Sequence, residues 1–104
     1  MSRGPDVCTQ IERALVCNAA EAGVVFAQGA AVSIPWASVT FAGARHRLTM
    51  VAARSASLDA WLASLPEAEF RLRGHLVADL AITGVTRTGD PVEVTLEILT
   101  VEDC

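Results

Sequence analysis

Two short runs of residues in this chain combine types and spacing that could do chemistry. Arg45, His46 and Arg47 are consecutive, and an imidazole flanked by two guanidiniums is suited to holding an anion such as a phosphate or carboxylate. Arg71, Arg73 and His75 alternate, with Asp79 beyond Val77, so an extended strand would line them along one face as an anion clamp followed by a base and its orienter. His75 and Asp79 would then lie about 13 Å apart, too far to touch. Acid–base sites need convergent, partly desolvated groups, and a linear row does not supply them. Each run also has a plainer reading. Residues 45–47 read as the polar tip of a hairpin, and the row reads as solvated or interfacial charge that could pair with Glu93, Glu97 or Asp103 of a neighbouring copy.

Other chemistry is excluded more firmly. All eight strongly basic residues are arginine, so neither a Schiff-base lysine nor a phosphate-loop lysine can exist here. The three cysteines, Cys8, Cys17 and Cys104, form no CxxC pair, and the two histidines are isolated, so metal-ligand spacing is missing. Cys8 and Cys17 would sit about 13 Å apart along a helix, out of bonding range. Together with the odd count, this suits a reducing compartment. No serine stands in a nucleophile elbow, no glycine-rich dinucleotide or phosphate loop is present, and Asp90 with Glu93 is too sparse for a metal. No cofactor is expected.

Composition sets the remaining bounds. With 104 residues, 52% hydrophobic and 19% charged, the chain is one domain with enough apolar material for a core. Much of that material is alanine and valine, and a small core of this kind is often supplemented by burial against a second copy. A net charge of −4 disfavours nonspecific binding to the nucleic-acid backbone. Residues 22–44 carry no charge, but Pro35, three glycines and the alternating pattern argue against a membrane helix. No signal peptide is legible, so the cytoplasm is expected, and the lysine-free, arginine- and alanine-rich composition suggests a bacterial source.

The elements that must position the candidate residues follow from periodicity. Val7, Ile11, Leu15, Ala19 and Ala22 form a helical stripe. Thr9 with Glu12 reads as its capping box, with Asp6 as the alternative start, and Gly23 as its stop. Val24–Ala27 and Ala31–Ile34 flank Gln28-Gly29 as a short hairpin or bend, and Pro35 predicts a short or edge strand. Folding at Gly43–His46 would set Phe41 opposite Leu48 and Val39 opposite Met50. Leu58, Trp61, Leu62 and Leu65 predict a second helix, capped by Ser57 and ended near Pro66.

Two long strands, Phe70 to about Thr86 and Pro91 to about Glu102, close the chain. A three-residue loop with Gly89 left-handed would pair Ile82 with Val94 and Leu80 with Leu96. The opposite face of that hairpin then carries Val77, Leu99 and Val101, apolar between charged ends, with Arg73 facing Asp103. The order α-β-β-α-β-β predicts an α+β two-layer sandwich, a mainly antiparallel sheet with two helices on one face, ferredoxin-like or related. The function expected from these features is a non-catalytic interaction domain forming homo-oligomers through Val77, Leu99 and Val101. The alternative is a protein or enzyme that holds a small anionic ligand through Arg45, His46, Arg47, Arg71, Arg73 and His75.

Overall fold

The computed structural model describes residues 6–103. Helix α1 (Val7–Glu21) opens at Asp6, whose carboxylate accepts the Thr9 N–H at 2.8 Å. That bond holds the Asp6 carboxyl below its ordinary range. Asp6 is therefore the cap, and Thr9 lies inside the helix rather than starting a capping box. Gly23 takes φ 78°, a left-handed position that glycine occupies without steric cost, and turns the chain out of the helix. Strands β1 (Phe26–Ala37) and β2 (Ala42–Ala52) follow, then helix α2 (Ala56–Ser64) with a 3-10 turn at Leu65–Glu67, and finally β3 (His75–Thr86) and β4 (Val92–Glu102). Ser55, not Ser57, caps α2 by accepting the Leu58 N–H at 3.0 Å.

The sheet is antiparallel throughout, in the order β1-β2-β4-β3. Both helices pack on one face. Their stripes (Ile11, Leu15 and Ala19; Leu58, Trp61 and Leu62) close over Leu48, Met50 and the even-numbered positions of β4, Val92 to Ile98. Trp61 anchors this layer, stacking on Phe26 at 5.9 Å and donating its indole N–H to Asn18 Oδ1 at 2.8 Å. Gln10 bonds to the backbone of Arg73, and the Asp103 N–H donates to the Gly74 carbonyl, so the start of α1 and the end of β4 meet beside the same turn. Joining them would give the element and sheet order of a ferredoxin-like sandwich, so this fold follows that order with the chain opened between β4 and α1. Among the described residues, no helix is long and apolar enough to cross a membrane.

Several sequence expectations change in the tertiary structure. Gln28-Gly29 is not a hairpin. It belongs to a bulge, where the register passes from Gln28↔Met50 to Ala31↔Leu48 inside one continuous strand. Pro35 does lie on an edge strand, though a long one. The β1–β2 turn falls at residues 38–41, where Ser38 N–H donates to the Phe41 carbonyl, and Gly43–His46 is strand. Phe41 and Val39 therefore face neither Leu48 nor Met50.

In the last hairpin the connection spans residues 87–91, and Gly89 is not left-handed. The register pairs Ile82 with Leu96 and Leu80 with Ile98, two residues from the expected one. Strand β3 begins at His75, because Gly74 (φ 77°) turns the chain just before it. A bulge between Val77 and Asp79 then inverts the side-chain parity. Val77 consequently packs against the core, and Leu76, 55% exposed and paired with Val101, takes the outer face instead.

Candidate functional site

The expected Arg45-His46-Arg47 loop is a strand segment, so its three side chains divide between two faces. Alternation along β2 sends His46 inward with Leu48 and Met50, and Arg45 and Arg47 outward. His46 is fully buried. Its Nδ1 lies 2.7 Å from Ser33 Oγ and its Nε2 lies 3.0 Å from Thr100 Oγ1. Thr100 donates its own hydroxyl hydrogen to the Ala44 carbonyl at 3.3 Å, so its oxygen accepts from Nε2–H. That leaves Nδ1 as the acceptor of the Ser33 hydroxyl. Burial, with a smaller contribution from nearby His75, lowers the His46 pKa, so the ring is neutral at pH 7. A solvated anion clamp centred on His46 is thereby ruled out.

Arg71, Arg73 and His75 do not form a row. Arg71 and Arg73 precede the Gly74 turn and are exposed, and His75 Nδ1 sits 3.2 Å from the Arg73 carbonyl. The Arg73–Asp103 ion pair expected from the sequence is absent among the described residues, whose ion pairs are Arg47–Glu97 and Arg87–Asp59. Cys8 and Cys17 are free, and Cys104 lies outside the described residues.

Among the described residues, no element covers the sheet face opposite the helices. Among the rows that cross it, the strand register sets three side by side: Trp36–Gly43–Val101–Leu76, then Ile34–Arg45–Leu99–Asp79, then Val32–Arg47–Glu97–Ala81. Val32 and Ile34, on edge strand β1, are 55% and 60% exposed and add apolar surface to this face. Ile34, Trp36, Arg45 and Leu99 line an open groove of about 430 Å³. Arg47 is held by Glu97 at 2.8 Å, whereas neither Arg45 nor Asp79 has a hydrogen-bonded or ionic partner among the described residues. The indole nitrogen of Trp36 is buried without a hydrogen-bond partner.

The sequence had singled out Leu99, Val101, Arg45 and Arg47 without placing them on one surface. It missed Val32, Ile34, Trp36 and Leu76, and it missed Ser33 and Thr100 beside His46. One signal was available: counting back from Leu48 in steps of two reaches His46 on the core face. Comparison with known proteins finds no matching family model, no matching curated protein and no matching solved structure.

Proposed function

We propose that this protein is a non-catalytic assembly domain that dimerises by packing the open faces of two sheets together. The observation that carries this reading is the pair of unpartnered charges, Arg45 and Asp79, one strand to either side of Leu99. A twofold axis running along β4 between the two sheets would set Leu99 against its own copy. Because strands are evenly spaced by about 4.8 Å, the same axis brings Arg45 of each copy opposite Asp79 of the other. Sheets pack about 10 Å apart, which an arginine and an aspartate together can span.

The neighbouring rows suit the same axis. Val101 meets its copy, and exposed Leu76 falls over Gly43, which has no side chain to obstruct it. Glu97 approaches its copy already neutralised by Arg47, so no bare carboxylates are opposed. Under this axis β2, β4 and β3 overlap their copies over roughly 14 by 37 Å, on the order of 500 Å² per copy, the low end for a specific interface, and β1 lies beyond the partner's edge. The acidic net charge disfavours nucleic acid as the occupant. The free thiols of Cys8 and Cys17 fit a reducing bacterial cytoplasm as the setting.

Light scattering after size exclusion tests this reading. Wild type is expected at twice the 10.9 kDa chain mass, and Leu99→Glu at the chain mass with an unchanged circular dichroism spectrum. A monomeric wild type, or a Leu99→Glu variant that stays dimeric, overturns it.

A second reading rests on the groove itself. An unpaired guanidinium beside Ile34, Trp36 and Leu99 suits a small organic carboxylate with an apolar body. It takes precedence if wild type is a monomer and carboxylates raise its melting temperature while Arg45→Gln abolishes the effect. Arg71, Arg73 and His75 have no part in it, since they do not converge on this face.

A further inference from the structure

We infer that Ser33 is a nucleophile able to accept an acyl group from an activated ester, with His46 as its base. Three features of the inner layer converge on it. Ser33 Oγ lies 2.7 Å from His46 Nδ1, within reach for direct proton transfer. Thr100 holds the Nε2 hydrogen at 3.0 Å and passes its own to the Ala44 carbonyl, which leaves the Nδ1 lone pair aimed at the serine. A nucleophile, its base and a third group orienting the base form the signature of an activated hydroxyl.

The third feature is access. His46 is fully buried, while Ser33 is exposed on edge strand β1. Its neighbours on the same face, Ala31 and Pro35, are small and exposed, so a small acyl group can approach along an open ledge. This ledge is on the helix side of the sheet, away from Leu99 and Arg45, so dimerisation leaves it accessible.

In the acyl transfer, Ser33 Oγ attacks the ester carbonyl carbon and a new C–O bond forms while the hydroxyl proton passes to His46 Nδ1. The carbonyl re-forms as the bond to the leaving oxygen breaks, and that oxygen takes the proton from Nδ1. The products are O-acyl Ser33 and a free alcohol, with His46 neutral again and no change in oxidation state.

The test exposes the whole protein, its thiols first blocked with iodoacetamide, to p-nitrophenyl acetate at pH 7.5. Peptide mass spectrometry then compares acetylation at Ser33 with that at Ser57, an exposed serine without a histidine partner. Ser33 is expected to react at least about 100-fold faster, the lower end of what a positioned base supplies. His46→Gln is expected to bring Ser33 down to the Ser57 rate. Equal rates at the two serines in wild type overturn the inference, and that comparison needs no variant to fold. Retained preference for Ser33 in a folded His46→Gln protein also overturns it.

Discussion

A Cβ placed on Gly43 would lie 1.9 Å from the carbonyl oxygen of Thr100 across the β2–β4 ladder. The obstructing atom is backbone in a central strand, so it cannot swing aside as a side chain would. Gly43→Ala must part the ladder at the point where Thr100 reaches His46. We expect a loss of about 3 kcal/mol, the upper part of the range for overpacking, read as a lower urea midpoint at unchanged slope. A midpoint within error of wild type would refute the close approach.

His46 makes stability depend on pH. Its folded pKa is lowered, chiefly by burial and secondarily by His75, whereas the unfolded chain has the free value of about 6.5. As pH falls through 6.5 the unfolded state takes up a proton that the folded state takes up only at lower pH. The His46 contribution is therefore complete above about pH 6.5 and is eroded toward the depressed folded value. Urea midpoints measured from pH 7.5 to 5.5 should fall, and His46→Gln should flatten that window. An equally steep fall in the variant would assign the effect elsewhere.

The dimer contact proposed between Arg45 and Asp79 can be tested by exchange. Arg45→Asp alone sets two carboxylates together at each end and should yield monomer. Adding Asp79→Arg should restore the dimer mass, since the pairing is only inverted. Raising salt should weaken the wild-type dimer and the double variant alike. A double variant that remains monomeric would exclude this pairing.

Arg54 ties the β3–β4 connection to the segment after β2. Its Nη2 donates to the carbonyls of Arg87 and Gly89, and its backbone N–H donates to Asp90 Oδ1. Arg54→Ala removes the two side-chain bonds. These are exposed to solvent, so the expected cost is about 1 kcal/mol. Amide exchange in residues 87–90 should accelerate while that of Val94 and Leu96 stays slow. Unchanged exchange at the loop would show that the bonds do not hold it.

Much of the fold was legible in the residue order because helices and regular strands repeat locally. The Leu58-Trp61-Leu62-Leu65 stripe and the Val92-Val94-Leu96-Ile98 alternation each fall on the core face. The candidate site was less legible. Arg45 and Leu99 could be named as a surface arginine and a surplus apolar residue, yet their adjacency is a matter of strand order. Val77 was assigned to the outer face by unbroken alternation, and a single inserted residue inverted it.

The sequence by itself therefore determined the element types, their order and the inward sets of β2, β4 and both helices, since each depends on a period carried by a few neighbouring residues. The tertiary structure decided where β1 turns into β2, the two-residue displacement of the last hairpin, the bulges at Gln28/Ala31, Val77/Asp79 and Ile82/Gly84 and the burial of His46. Its Ser33 and Thr100 partners lie 13 and 54 residues away in the chain. The physical reason is that a strand's register is set by the fit of its whole face against its neighbours, and a one-residue change reverses every side chain beyond it.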